Sequence, residues 1–198
     1  GQLNGIKKMI EERRYCPEII TQLKAVSSAC KSLEIIMLQK HLESCVAEAF
    51  HSKDKNRNKY RVIITPPYTL IESYAKYFKN KKISIGSQNC YQKDQFSSDT
   101  AAVSPYMLRS VGAKYTLIGH SDNRGEGDTD TMLKNKVQFA IKNNLKVVFC
   151  IGENKTEKKN KKTLSVLKRQ LTKVLEKKFN KNNIIVAYEP IWSIGTGI

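Results

Sequence analysis

A single carboxylate, Glu189, follows a short apolar run and precedes a proline, a tryptophan and a Gly-Thr-Gly sequence. The run from Ile184 to Tyr188 is typical of a buried strand, so Glu189 is expected where that strand leaves the core. A carboxylate held there and partly shielded from water can act as a base. Gly195 and Gly197 let the following loop change its backbone angles and bring amide groups close to an anion.

A histidine is placed in a similar way. His120 follows a predicted strand and is itself followed by Ser121 and Asp122. Polar or reactive residues also follow other predicted strands: Gln88, Asn89, Cys90, Cys150 and Glu153. In parallel α/β folds, ligands bind beyond the carboxyl ends of the strands. A His and a Glu at neighbouring strand ends therefore predict a general acid–base pair.

The elements that must position these groups alternate between strands and helices. Apolar runs predict strands over 61–65, 83–90, 115–119, 146–151 and 184–188. Helical periodicity is found over 69–78, with Thr69 as the cap, and over 104–112, 129–144 and the basic segment 154–181. Such repeated βα units predict a parallel sheet. Before them, helices are expected over 17–24 and 31–50, and a polar linker over 52–59.

The chain is strongly basic, with a formal net charge of +17, but the charge is mostly lysine. It has 28 Lys against 7 Arg, together with 14 Asn. In the densest segment, 154–181, the middle part has apolar residues at helical spacing, so its lysines are expected on a solvated helix face. Nucleic-acid recognition relies more on arginine forks and aromatic side chains. The charge therefore disfavours a nucleic-acid partner without excluding it, and would equally favour a phosphorylated small molecule.

Five cysteines are present, an odd number with no C-x-x-C pair: Cys16, Cys30, Cys45, Cys90 and Cys150. This argues against a disulfide framework or a zinc site and favours a reducing compartment. All five are expected to be small apolar fillers. No apolar run reaches the roughly 20 residues that span a bilayer, and the N-terminus lacks a signal-peptide pattern. A cytoplasmic location is expected, with an organellar one as the alternative.

Four segments, in this order and at βα spacing, resemble those of the triosephosphate isomerase family: Ser87–Tyr91, Leu117–Ser121, Phe149–Glu153 and Tyr188–Gly197. The resemblance implies a (β/α)₈ TIM barrel forming one domain over 1–198, with an insertion or extended helical segment around 15–60. The first strand and the last two βα units are not evident, so both ends are interpreted as cut. No P-loop, G-x-G-x-x-G or G-x-S-x-G motif favours nucleotide binding or hydrolysis instead.

The resemblance also implies roles for particular residues. The family is a standard example of a glutamate base working with a neutral histidine electrophile under a closing lid. Glu189 would be the base and His120 the electrophile, with Ser121, Asp122 and Cys150 supporting them. The lid segment Gly195, Thr196 and Gly197 would close over the phosphate of dihydroxyacetone phosphate or glyceraldehyde 3-phosphate. Neither a cofactor nor a metal is implied.

Several departures from the family pattern are visible. Gly1 to Gly5 aligns with the tail of its first strand, which places Asn4 at a substrate-binding position and Gln2 where a lysine is expected. That lysine would neutralise the substrate phosphate, unless residues of the true first strand are missing from the sequence. The loop expected to form a homodimer contact keeps Thr100 but lacks the glycine and glutamate that follow it in the family.

These observations leave two main hypotheses. The first is an active triosephosphate isomerase, supported by His120, Glu189 and the lid. The second is a catalytically degenerate barrel protein that serves as a binding or assembly module for an anionic partner, supported by the departures and the basic surface. A different phosphosugar enzyme on a related barrel is disfavoured because the four segments are specific to one family.

Overall fold

The computed structural model describes residues 1–41, 62–79, 83–94, 99–176, 179 and 182–194. The chain divides into two compact units, Gly1–Tyr60 and Arg61–Ile198. This division differs from the single barrel domain expected over 1–198. The predicted linker over 52–59 and the lid glycines lie outside the described residues.

The described part of the N-terminal unit is a pair of helices, α1 (Gln2–Glu11) and α2 (Cys16–His41). The alignment of the first five residues with a barrel strand is therefore wrong. Helix α1 forms because apolar residues recur every three or four positions, with Ile6 buried, and because Lys7 and Lys8 each pair with the glutamate four residues on, at 3.8 and 3.6 Å.

Helix α2 is continuous where two shorter helices were predicted. Its internal serines and threonines are accommodated by local hydrogen bonds: Thr21 Oγ1 donates to the Pro17 carbonyl at 2.8 Å, and Ser32 Oγ donates to the Ser28 carbonyl at 3.0 Å. Cys16 and Cys30 are exposed on this helix, so the expectation that they fill the core is wrong, whereas Cys90 and Cys150 are buried as expected.

The C-terminal unit contains a five-stranded, entirely parallel sheet in the order β1-β2-β3-β4-β5. Its strands are β1 (Val62–Ile64), β2 (Ile83–Ser87), β3 (Tyr115–Ile118), β4 (Lys146–Ile151) and β5 (Ile184–Tyr188). Consecutive parallel strands joined through helices are the arrangement of an incomplete (β/α)₈ barrel. The predicted fold class is confirmed, and β4 and β5 have the predicted bounds.

Helices connect the strands. They are α3 (Ile71–Tyr77), α4 (Pro105–Ser110), α5 (Ser121–Gly125), α6 (Asp130–Lys142), α7 (Lys155–Lys159) and α8 (Thr163–Val174), with 3₁₀ turns at Tyr68–Leu70 and Ile191–Ser193. Ser104 and Thr129 cap α4 and α6 by accepting from backbone amides three residues on. Thr69 does not cap α3, because it lies inside the preceding 3₁₀ turn.

The basic segment forms two helices, α7 and α8, instead of one. Asn154 and Glu157 form a capping box that starts α7, and Lys161, at φ 55°, takes the left-handed conformation that ends it. Helix α8 then buries Val166 and Val174. Its described lysines, Lys168 and Lys173, are exposed, which confirms a solvated basic face.

The core of the C-terminal unit lies between the sheet and its helices. Its fully buried side chains include Ile71, Phe78, Leu108, Leu133, Val147 and Phe149. This packing fixes the strands, and therefore the loops at their carboxyl ends. None of the described helices is both long and apolar enough to cross a membrane.

Candidate active site

His120 follows β3 and is the N-cap of α5. The backbone amide of Asp122 donates to His120 Nδ1 at 3.3 Å. Since Nδ1 accepts this bond, the proton of a neutral imidazole lies on Nε2. The residue before it, Gly119, has φ +83°, and a Cβ there would crowd the Arg124 guanidinium at 2.8 Å. The turn that presents His120 therefore requires glycine.

Glu189 leaves the end of β5 and reaches back towards His120. His120 Nε2 lies 3.6 Å from Glu189 Oε2. The sequence predicted these residues at neighbouring strand ends, but this is wrong, because β4 lies between β3 and β5. The Glu189 side chain is 39 % exposed, yet its Oε2 is buried without a hydrogen-bond partner. The protonated Nε2 and this unoccupied carboxylate oxygen therefore face each other.

Cys150, on β4, lies against the same carboxylate. Burial raises the pKa of its thiol to about 12, with further contributions from the charge of Glu189 and a hydrogen bond to it. Cys150 is therefore a neutral thiol at physiological pH, unsuited to act as a nucleophile. Cys150 and Glu189 line the same crevice, and the supporting role of Cys150 stays a prediction.

A cavity of about 450 Å³ opens beside His120 at the carboxyl ends of the strands. Its walls include Gln88, Asn89, His120, Asp122, Asn123 and Glu126. Four of these were predicted as strand-end residues, and the structure brings them together. No lysine or arginine of the described residues lines the cavity, while two carboxylates do. Ser121 lies instead in a crevice with Cys150 and Glu189.

A buried carboxylate holds the segment that follows Glu189. Glu153 is 1 % exposed and accepts hydrogen bonds from Trp192 Nε1 at 3.2 Å and Tyr188 Oη at 3.1 Å. Burial raises the pKa of Glu153, but hydrogen bonds from Trp192, its own backbone amide, Tyr188 and Thr163 outweigh burial and hold the pKa below its usual value. The Lys158 ammonium lies 3.1 Å from the centroid of the Trp192 ring. Sequence reasoning placed Glu153 at a strand end without assigning it this role.

Arg124 links two strand ends. Its Nε donates to the Gly119 carbonyl at 2.7 Å and its Nη2 to the Cys150 carbonyl at 3.4 Å. Its guanidinium carbon lies 5.7 Å from the centroid of the Phe149 ring, and burial lowers its pKa. Arg124 therefore fixes the ends of β3 and β4 relative to each other, a role that no local sequence pattern indicates.

A second buried network supports the cavity wall. Lys136 Nζ is 2.7 Å from the Asp128 carboxylate, and the two side chains are only 5 % and 7 % exposed. The same ammonium donates to Asn89 Oδ1 at 3.1 Å, and Asn89 Nδ2 donates to Asn123 Oδ1 at 2.8 Å. The ion pair thus orients two amides that line the cavity.

Other predicted site residues lie elsewhere. Gln2, predicted as a supporting residue, and Asn4, predicted to bind substrate, are exposed on helix α1, where the sequence predicted the end of a barrel strand. Thr100 is exposed in a turn. The lid residues Gly195, Thr196 and Gly197 lie outside the described residues. The part of the chain that the structure describes contains no group of three or more His, Cys, Asp or Glu placed to hold a metal ion.

A separate cavity of about 330 Å³ lies at the other end of the sheet, where the strands begin. Ile83, Arg109 and Lys114 are among its lining residues. It contains none of the predicted site residues, and ligands of parallel α/β folds bind at the opposite, carboxyl end. The cavity beside His120 is therefore the candidate site.

Comparison with known proteins agrees with this geometry. The family model "Triosephosphate isomerase" matches residues 35–198. The triosephosphate isomerase of Saccharomyces cerevisiae is 39 % identical over 138 residues, which cover 69 % of this chain and 55 % of that protein. That of Thermodesulfovibrio yellowstonii is 37 % identical over 145 residues, covering 73 % and 58 %. The crystal structure of triosephosphate isomerase from Bartonella henselae has a TM-score of 0.65 and 36 % identity, covering 68 % of this chain and 56 % of that one.

The chain spans a little over half the length of the relatives it matches. A second family model, "Metal-sensitive transcriptional repressor", matches residues 1–65, which include the whole N-terminal unit. Through the match over residues 35–198, the chain belongs to the triosephosphate isomerase family.

Proposed function

We propose that the C-terminal unit, Arg61–Ile198, carries the acid–base pair of a triosephosphate isomerase, which interconverts dihydroxyacetone phosphate and glyceraldehyde 3-phosphate through an enediolate. Glu189 is the base and His120 the electrophile. The observation that carries the proposal is the approach of His120 Nε2 to Glu189 Oε2 at 3.6 Å, at the carboxyl end of a parallel sheet. Membership of the family supports the same assignment.

The two groups suit the chemistry. Glu189 Oε2 has no hydrogen-bond partner, so a lone pair is available to take a carbon-bound proton. His120, fixed through Nδ1, directs its Nε2–H at the oxygen on which negative charge develops. Ser121, Asp122 and Cys150 are supporting residues in this proposal, and the lid Gly195–Gly197 closes over the phosphate.

One requirement is not met by the described residues. A triose phosphate carries a dianionic group, whereas the cavity wall has Asp122 and Glu126 and no cation. None of the described residues that line the cavity supplies this cation. We therefore propose that turnover by this 198-residue chain is weak, because the absence of a fixed positive charge reduces stabilisation of the transition state.

A homodimer with Thr100 in its contact loop and a cytoplasmic location are parts of the same proposal. Sedimentation velocity of the purified chain measures the first of these. A monomer at micromolar concentration would contradict the dimer without affecting the assignment of Glu189 and His120.

The experiment that tests the function is turnover of glyceraldehyde 3-phosphate by the purified chain. Glu189→Ala serves as the control for contaminating host isomerase, and Glu72→Ala, an exposed substitution on α3, as the matched control. Turnover that is lost in Glu189→Ala and kept in Glu72→Ala supports the isomerase. Equal turnover in all three preparations removes Glu189 from its role. No turnover in any of them favours the alternative, a degenerate barrel that binds an anionic partner.

A second candidate function concerns the N-terminal unit. Residues 1–65 match the metal-sensitive transcriptional repressor family, and Cys16 and Cys30 are exposed thiols on α2. We propose that this unit binds a thiophilic metal ion, such as Zn²⁺ or Cu⁺, through exposed thiolates. Because no three-ligand group is found among the described residues, further ligands must come from outside them or from a second chain.

A metal titration of the full-length chain tests this second function. The wild type is expected to compete with a colorimetric chelator for Zn²⁺ or Cu⁺, and the Cys16→Ser/Cys30→Ser double variant to compete less well. Equal competition by the two proteins would contradict thiolate binding at α2. This result would leave the isomerase proposal untouched, because the latter rests on the other unit.

A further inference from the structure

The backbone around Glu189 packs against the residues at the end of β4. The Glu189 amide donates to the Ile151 carbonyl at 2.8 Å, and the Ile191 amide donates to the Glu153 carbonyl at 3.1 Å. Between these two bonds, the Cα of Gly152 packs directly on the Glu189 carbonyl, where any Cβ would overlap the carbonyl oxygen. The backbone of Glu189 therefore has the position that Gly152 and its two neighbours impose.

Gly152 is in turn held by a side chain from α8. Gln170 Nε2 donates to the Gly152 carbonyl at 2.9 Å, and the Gly152 amide donates to Gln170 Oε1 at 3.0 Å. The side-chain amide of Gln170 therefore uses both its oxygen and its nitrogen to bind the backbone of Gly152. Among the natural side chains, Gln has the donor, the acceptor and the length that this pairing needs.

Helix α8 provides a rigid support for this contact. Val166 and Val174, on either side of Gln170 in the sequence, are buried against the rest of the unit. Gln170 is partly buried on the same face, at helical spacing from both. A polar residue in an apolar stripe is stabilised only when it is hydrogen-bonded, as Gln170 is.

We propose that Gln170 is a positioning residue for Glu189. It fixes Gly152, and Gly152 fixes the backbone from which the Glu189 carboxylate reaches His120. The proposal rests on the proposed isomerase function for its catalytic consequence, but the structural link can be measured without turnover. A shift of the base by a fraction of an ångström lowers the rate of proton transfer much more than it lowers substrate affinity.

The chain offers a sensitive probe, because Trp192 is its only tryptophan. Its indole donates to Glu153, the residue after Gly152, so its emission reports any displacement of this backbone. Two variants remove the contact: Gln170→Met keeps the size without polar atoms, and Gln170→Glu keeps an acceptor but loses the donor. Gln138→Met is the matched control, since Gln138 is a part-buried glutamine on α6 that donates to Glu176, away from the site.

Trp192 emission and the kinetics of glyceraldehyde 3-phosphate turnover are measured for the four proteins. Both Gln170 variants are expected to shift the emission and to lower kcat at least about tenfold with KM nearly unchanged, while Gln138→Met resembles the wild type. Wild-type emission and kcat in Gln170→Met would overturn the proposal, as would an equal loss in Gln138→Met. If the wild type has no turnover, the isomerase assignment fails, and the emission comparison alone decides the role of Gln170.

Discussion

The proposed chemistry depends on two atoms that lie 3.6 Å apart, Nε2 of His120 and Oε2 of Glu189. A buried carboxylate oxygen without a hydrogen-bond partner destabilises the fold, typically by about 1–3 kcal/mol. Unpaired buried polar groups that persist in a fold are typical of functional sites. Glu189 Oε2 is therefore buried and unpaired, as the proposed base of a carbon acid needs to be.

Glu189→Asp tests how strongly kcat depends on the position of this carboxylate. The substitution withdraws the carboxylate by one methylene, so the base no longer reaches the substrate carbon, and kcat is expected to fall by about 100-fold or more. KM should change much less, because the carboxylate does not hold the phosphate. Kinetics of the active form with and without the substitution measure both constants. Unchanged kcat would show that another group is the base.

Glu153 makes the segment after Glu189 sensitive to acid. Its hydrogen bonds hold its pKa in the folded protein below the usual value of about 4.5. A carboxyl group with a depressed folded pKa stabilises the fold above its unfolded pKa, and this contribution is lost as the pH falls through the folded pKa. We expect Trp192 emission to change as the pH falls below about 4.5, and Glu153→Gln to remove this transition.

The control for this pH profile is Glu126→Gln, which removes an exposed carboxylate of the cavity wall. Its emission profile should match that of the wild type. A transition of unchanged midpoint in Glu153→Gln would mean that another group titrates beside Trp192.

The positions of the proposed acid–base pair could be predicted from the sequence, but the residues that hold them in place could not. His120 and Glu189 directly follow apolar runs, and a parallel sheet brings such positions together. Gln170 donates to the carbonyl of Gly152, 18 positions away in the sequence. Arg124 donates to the carbonyl of Cys150, 26 positions away, as well as to that of the nearby Gly119. The one sequence signal for Gln170 is a polar residue on the apolar face of α8, between Val166 and Val174.

Helix α6 contributes to the cavity through the buried Lys136–Asp128 pair. Replacing Lys136 by Met leaves a buried, uncompensated carboxylate and frees Asn89 from one of its hydrogen bonds. The free energy of unfolding is expected to fall by about 3–5 kcal/mol, as measured by urea denaturation.

Lys134→Met on the same helix is the matched control. Lys134 is 3.3 Å from Glu176, but its side chain is 43 % exposed, so this pair should contribute less than about 1 kcal/mol. If Lys136→Met destabilises the protein no more than Lys134→Met, the Lys136–Asp128 pair contributes little to the fold.

The bounds of β4 and β5 were predicted correctly from their apolar runs, although β4 is largely buried and β5 has several exposed side chains. The sequence predicted one helix over the basic segment 154–181, but Lys161 takes a left-handed backbone conformation that separates α7 from α8. The prediction of separate helices over 17–24 and 31–50 also failed, because α2 continues through residues 25–30 without a break.

The sheet of the C-terminal unit leaves its last strand at an edge. β5 pairs with β4 on one side, and Ile185, Val186 and Tyr188 are exposed. In a parallel sheet such residues are normally covered on both faces. The exposed apolar strand and the absence of a cation from the described cavity wall agree with a chain that spans only part of its relatives' length.

The two compact units, Gly1–Tyr60 and Arg61–Ile198, are expected to unfold separately. Ile6 is the one buried side chain among the residues described in α1, so Ile6→Ala should destabilise the N-terminal unit by about 2–5 kcal/mol. Trp192 lies in the other unit, so its emission should keep the wild-type midpoint in urea while the helical signal in far-ultraviolet circular dichroism is lost earlier. Leu133→Ala, in the core of the C-terminal unit, should lower the emission midpoint instead. An emission midpoint that Ile6→Ala lowers as much as Leu133→Ala does would show that the two units fold as one.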